Sequence, residues 1–144
     1  MNLPNPIPML GKVLVIDDNP IIQRAVYFSL RDHGLKVLMC GDVTEALQLI
    51  RTEHPALIVL DINFPPDGSL SGERDGFWAL DWIHRVEEIK HTPVIMISSD
   101  DPAKVRPRAL AAGAAEFLQK PLDKIELVRL VKELIAKHAA PPAA

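Results

Sequence analysis

Cysteine is almost missing from this chain. Cys40 stands alone among 144 residues, so no internal disulfide can form, and the residue reads as a small core side chain. Basic charge is not in excess either. The formal net charge is −3, which invites neither nucleic acid nor an anionic membrane. No apolar run approaches the roughly 20 residues that cross a bilayer. Met1 to Pro8 carries no basic region ahead of its apolar residues and does not resemble a secretory leader, so the cytoplasm is the default expectation. Gly34, Gly41 and Gly113 make no phosphate-cradling run, which argues against a nucleotide site. His33, His54, His84, His91 and His138 are scattered without metal spacing and read as solvated. Heptads and internal repeats are absent.

What is present is a set of short apolar runs, each ending in a chemically useful group. Val13-Leu14-Val15-Ile16 runs into Asp17-Asp18, and Ala56-Leu57-Ile58-Val59-Leu60 ends in Asp61. Pro93-Val94-Ile95-Met96-Ile97 ends in Ser98-Ser99, and Ala115-Glu116-Phe117-Leu118-Gln119 ends in Lys120-Pro121. Such runs read as buried parallel strands. In a parallel sheet all strand ends of one sense share an edge, where open α/β sheets build their sites. Asp17, Asp18, Asp61, Ser98 and Lys120 should therefore converge. Adjacent carboxylates repel unless a cation joins them, and the hard divalent ion Mg2+ suits an all-oxygen set. One acid could then act as nucleophile, with the hydroxyl and ammonium binding the oxygens of a transferred phosphoryl group.

The order Asp-Asp, Asp, Ser, Lys-Pro resembles the receiver domain of bacterial two-component response regulators, the chemotaxis-regulator-like family, over Lys12 to about Lys137. The resemblance implies that Asp17 and Asp18 are the acidic pair of a Mg2+ site and that Asp61 is the phospho-accepting aspartate. It implies that Asn63 lends its backbone carbonyl to the metal. Ser98 matches the switch hydroxyl, Phe117 the switch aromatic that turns inward, and Lys120 the lysine of a Lys-Pro pair whose peptide bond is usually cis. Asn63 and Asp100, two residues beyond Asp61 and Ser98, resemble the positions that tune dephosphorylation.

Segment by segment, the expectation is a flavodoxin-like (βα)5 doubly wound α/β sandwich over 11–138. An extended proline-rich lead-in covers 1–10 and a flexible tail 139–144. Strands are expected at about 12–16, 35–40, 56–60, 93–97 and 115–119, and helices at about 20–33, 43–53, 76–90, before Gly113, and 123–137. Asn19 and Pro20 mark the start of the first helix, and Asp123 with Glu126 opens the last. Alternation of strand and helix predicts a parallel sheet. The family order is 2-1-3-4-5, which the chemotaxis regulator itself exemplifies.

Three features depart from the family pattern. Asp75-Gly76 matches a pair usually found about seven residues after the acceptor, yet it lies fourteen residues after Asp61. The segment 65–74 therefore holds an insertion, rich in Gly, Ser and Pro. It is either a tolerated surface loop or one that gates Asp61 or selects a partner. On the third helix, Phe77, Leu80 and Ile83 follow the buried register. Trp78 and Trp82 share a stripe beside Asp81 and Arg85 that is usually wet, covered by Leu70 and Pro65-Pro66 or offered to a partner. Pro107 falls within the fourth helix, so that helix either kinks or shrinks to about two turns starting near Pro107. Lys104, Arg106 and Arg108 on it are solvated or meet a partner.

The function expected from the resemblance is a receiver that assists its own phosphoryl transfer and is not an enzyme in the metabolic sense. Its donor is a phosphohistidine on a sensor histidine kinase or a histidine phosphotransfer protein. Its output is a downstream protein target, reached through the helix 4–strand 5–helix 5 face. Two other classes use the same groups. An aspartyl-nucleophile phosphatase resembles an Asp-x-Asp motif, whereas here Asp61-Ile62-Asn63 lacks the second acid. A degenerate receiver would serve only as a scaffold.

Overall fold

A computed structural model describes residues 10–63, 75–87 and 89–138. Among them lie five parallel strands in the order β2-β1-β3-β4-β5. The strands are β1 (Gly11–Ile16), β2 (Leu35–Cys40), β3 (Leu57–Asp61), β4 (Val94–Ser98) and β5 (Glu116–Gln119). Between and after them run α1 (Pro20–Leu30, tightened into a 3-10 turn at Arg31–His33), α2 (Val43–Glu53), α3 (Gly76–Ile83), α4 (Pro102–Ala111) and α5 (Lys124–His138). The flavodoxin-like order expected from the sequence is the order observed. The lead-in before Leu10, the insertion 65–74 with its Leu70 and Pro65-Pro66, and the tail from Ala139 lie outside the described residues.

Side chains alternate across the strands, and this sorts the core into two layers. Leu14, Ile16, Ile58, Leu60, Met96 and Phe117 pack with residues of α2, α3 and α4, such as Ile50, Leu80 and Ala109. Val13, Val15, Val59, Ile95, Ile97 and Leu118 pack with Val26 and Leu30 of α1 and Leu127 and Val131 of α5. The sheet is therefore covered on both faces, which is why its central strands read as unbroken apolar runs. Each fully buried large side chain contributes about 1.5–3 kcal/mol.

Helix starts follow the sequence signals. The Asn19 side-chain Oδ1 accepts from Ile21 N–H at 2.9 Å, with Pro20 in the first turn. Asp42 caps α2, Asp101 caps α4, and Asp123 accepts from Glu126 N–H at 3.0 Å to open α5. Gly34 stops the first helical segment in the left-handed region, at φ 75°.

Helices α3 and α4 differ from expectation. Instead of reaching residue 90, α3 ends at Ile83, and the chain then tightens through bonds from Val86 to Ile83, Ile89 to Val86 and Thr92 to Ile89. These turns bring Ile89 into the core, 2% exposed. Phe77 is only half-buried, while Ala79, Leu80 and Ile83 are fully covered. Trp78 and Trp82 are both half-buried and pack against the α2–α3–α4 layer; the cover expected from Leu70 and Pro65-Pro66 lies outside the described residues. Pro107 neither shortens α4 to two turns nor delays its start. The helix runs from Pro102 through Pro107 to Ala111, with Pro107 supplying no N–H for the Ala103 carbonyl.

Candidate functional site

The register of the sheet sets the site. Ile16 is level with Leu60, Asp61 with Ile97, and Ser98 with Gln119. Asp17 and Asp61 therefore leave neighbouring strands side by side, and Ser98 and Lys120 follow across β4 and β5. The convergence expected from four separate strand ends is what the structure contains.

Asp17 is fully buried, Asp61 is 4% exposed and Ser98 is fully buried, the three buried polar side chains of the described core. The Lys120 ammonium lies 3.0 Å from Asp17 Oδ2 and 3.3 Å from Asp61 Oδ1. Asp17 Oδ1 accepts from Asn19 N–H at 2.8 Å, and Asp61 Oδ1 accepts from Asn63 N–H at 3.1 Å. Asp17 Oδ2 has the ammonium within reach but outside hydrogen-bond geometry, and no other donor among the described residues. A buried carboxylate oxygen with one imperfect partner is costly unless something else occupies its lone pairs. Asp17, Asp18 and Asp61 each bring an oxygen to within 4.8 Å of the others, with Asp18 exposed at the rim. This donor set is hard, anionic and open on one side, and it fits a divalent cation of the Mg2+ class.

The electrostatics agree. Burial, and then the charge of Asp17, push the Asp61 carboxyl above its ordinary value, against the opposing pull of Lys120 and the Asn63 N–H. For Lys120, burial is the largest single influence and lowers its affinity for the proton. The close approach of the Asp17 carboxylate and the charges of Asp61 and Asp17 outweigh it, so the net shift is upward. One ammonium thus serves two buried acids, and the pocket retains a negative surplus that a further cation would neutralise.

Around this centre, Ser98 Oγ accepts from Asp100 N–H at 3.0 Å and from the Asn63 side-chain amide at 3.3 Å. The backbone N–H of Lys120 bonds to Ser98 O at 2.9 Å, and the Lys120-Pro121 peptide bond is cis, as the resemblance implies. Phe117 is 5% exposed and belongs to the same core cluster as Ala109 and Ala114, so its ring already lies inward rather than turning inward only on activation. Asp100 is exposed. Cys40 is buried, and burial, with Glu45 and Asp42 nearby, pushes its thiol up to about 12, which suits an inert core position.

Asp75-Gly76 belongs to the site despite its distance in sequence. Gly76 N–H bonds to Ile62 O at 2.8 Å, and a Cβ on Gly76 would run into the Asp61 carbonyl oxygen. The chain must come this close, which is why glycine stands there. Asp75 caps α3 by accepting from Phe77 and Trp78 N–H. Asn63 and Gly76, on either side of residues 64–74, are thus both fastened at the end of β3. On α4, Arg106 pairs with Glu116 at 3.0 Å and Arg108 lies 3.9 Å over the Phe77 ring, so neither is simply solvated. Sequence reading missed Gln23, whose amide reaches the Asp17 carbonyl at 2.6 Å. Its only signal was a polar residue directly after Ile21-Ile22, close to the acidic pair.

The same combination recurs in known proteins. The family model of the response regulator receiver domain matches residues 13–132. An uncharacterized 14.6 kDa protein of Leptolyngbya boryana is 33% identical over 121 residues, covering 84% of this chain and 87% of that protein. The receiver domain of NtrX from Brucella abortus superposes with a TM-score of 0.75 at 30% identity, over 86% of this chain and 98% of that one. The chemotaxis response regulator CheY4 of Vibrio cholerae gives 0.73 at 27% identity, again over 86% and 98%. The chain belongs to the response regulator receiver family. Receivers are signalling switches of two-component systems. No helix among the described residues is long and apolar enough to cross a membrane.

Proposed function

We propose that this chain accepts a phosphoryl group on Asp61 from a phosphohistidine of a sensor kinase or phosphotransfer protein. The observation that carries this reading is the placement of Lys120 between two buried carboxylates, with Ser98 and Asn63 on the adjoining strand ends. An Asp61 oxygen forms the new bond to phosphorus while the bond to the donor imidazole breaks, and the imidazole leaves with its electron pair. Asp17, Asp18, Asp61 and the Asn63 carbonyl would hold Mg2+, which when bound neutralises charge on the transferring oxygens. Lys120 supplies a fixed positive charge 3.3 Å from Asp61. Asn63 N–H orients the acceptor carboxylate.

After transfer, Ser98 exchanges its present donors for a bond to the phosphoryl group. Phe117 is already inward, so the change reaches the outside through Ser98 and the α4–β5–α5 face, where Arg106 ties α4 to Glu116 of β5. That face then alters its preference for a downstream protein. The test is transfer from a panel of phosphorylated histidine kinases to wild type and to Asp61→Asn. Label should move from at least one donor to wild type and from none to the variant. Equal labelling of the two would refute the acceptor role.

A further inference from the structure

The β1–α1 junction contains a side chain whose role neither the fold nor the phosphoryl chemistry has absorbed. β1 ends at Ile16, so the carbonyl of Asp17 has left the sheet ladder and needs a donor from elsewhere. Gln23, half-buried one turn into α1, supplies it: Nε2 donates to Asp17 O at 2.6 Å and lies 3.5 Å from Cys40 O. Cys40 O also accepts from Asp17 N–H at 3.1 Å. The backbone of Asp17 is therefore fixed on both sides, through its N–H to the end of β2 and through its carbonyl to α1. Its carboxylate is fixed separately, by Asn19 N–H and Lys120.

We infer that Gln23 is a positioning residue for the cation site: by clamping the Asp17 carbonyl it holds the Asp17-Asp18 turn in the geometry that brings both carboxylates toward Asp61. The inference rests on the Mg2+ reading given above and adds to it a residue that touches neither metal nor phosphoryl group. The physical reason is preorganisation. Without the amide, the Asp17 carbonyl would turn toward solvent to find a partner. The peptide plane linking Asp17 to Asp18 would rotate with it, and two ligands would have to be reordered at each binding event. Supports of this kind typically change metal affinity by about 10-fold or more.

The test separates positioning from stability. Gln23→Met keeps the length of the side chain and removes the donor. Val26→Ala weakens α1 from its buried face without touching Asp17 and serves as the stability control. Mg2+ affinity would be measured by calorimetry on metal-free protein at a temperature where all three proteins are folded. Gln23→Met should bind Mg2+ about 10-fold more weakly than wild type, whereas Val26→Ala should bind within twofold of wild type despite a lower Tm. Saturating Mg2+ should return the phosphorylation rate of Gln23→Met to that of wild type, since only the positioning of the ligands is impaired. Wild-type affinity in Gln23→Met, or equal weakening in Val26→Ala, would overturn the inference while leaving the Mg2+ site standing. A wild-type protein that binds no Mg2+ would overturn both.

Discussion

Asn63 donates its side-chain amide to the Ser98 hydroxyl at 3.3 Å, joining the end of β3 to the end of β4 across the mouth of the acidic pocket. In this state the hydroxyl is held by two donors, the second being Asp100 N–H. To reach a phosphoryl group on Asp61 it must release Asn63. On the function proposed above, Asn63 would therefore shape both the movement of Ser98 and the approach of water to Asp61.

The first prediction concerns the lifetime of the phosphorylated state. A small amide at Asn63 and an exposed acid at Asp100 leave room for an in-line water, so the aspartyl phosphate should be short-lived. Asn63→Lys and Asp100→Arg place long cationic chains across that approach and should slow decay severalfold. Loss of label after removal of the donor measures it, and unchanged decay in both variants would contradict the assignment.

The second concerns Asp61 and pH. Its folded-state pKa is raised, mainly by burial and then by Asp17. The folded state therefore keeps this proton longer than the unfolded chain, whose Asp titrates near about 3.9. The group's contribution favours folding below that range and is lost as pH rises through the raised folded value. In metal-free protein at neutral pH the charge on Asp61 is destabilising, so Asp61→Asn should raise Tm. A gain of about 1 kcal/mol corresponds to about 2–4 °C in a domain approaching this size. The gap should narrow as the pH is lowered. A lower Tm for Asp61→Asn at neutral pH would refute this.

At neutral pH the charge on Lys120 acts the other way, as a stabilising one. Its folded-state pKa is raised, so its stabilisation is fully present below the unfolded lysine value of about 10.4 and is lost only in strong base. Lys120→Ala leaves Asp17 and Asp61 facing each other without the ammonium, and should cost about 3 kcal/mol in metal-free protein at neutral pH. Mg2+ should still bind and recover part of that loss, while coupling of phosphorylation to the output face disappears. Chemical denaturation with and without Mg2+ measures it. A variant as stable as wild type without Mg2+ would show that the ammonium is not bridging the acids.

Gly76 offers a purely steric test. Because a Cβ there collides with the Asp61 carbonyl and crowds Ile62, Gly76→Ala should destabilise the protein by about 1–3 kcal/mol and slow phosphorylation of Asp61 as well. An exposed glycine gives neither effect on substitution to alanine, so a silent variant would remove Asp75-Gly76 from the site.

The sequence was most readable where one residue type serves one geometric role. Unbroken apolar runs marked the strands because both sheet faces are covered. The terminal Asp61, Ser98 and Lys120 marked the site edge because parallel strands align their ends. Asn19-Pro20 and Asp123 marked helix starts through local capping. The early end of α3 was not readable, since Val86 and Ile89 fit a continuing helix as well as the tight turns that bury Ile89. Continuation of α4 through Pro107 was hidden because local sterics argue against it, while an Asp101 cap and packing of Ala109 hold the helix together. Gln23 escaped notice because a glutamine near a helix start is ordinary until its amide is seen to meet the Asp17 carbonyl. Half-burial of Trp78 and Trp82 comes from packing against the α2–α3–α4 layer, which no periodicity in the helix itself records.

The central claim is that Asp61 alone accepts the phosphoryl group. The most direct measurement is intact-protein and peptide mass spectrometry after treatment with acetyl phosphate and Mg2+, on wild type and Asp61→Asn in parallel. Wild type should gain one acid-stable, base-labile phosphoryl group on the peptide containing Asp61, and Asp61→Asn should gain none. A stoichiometric adduct on Asp61→Asn, or on any other residue of the wild-type protein, would contradict the account.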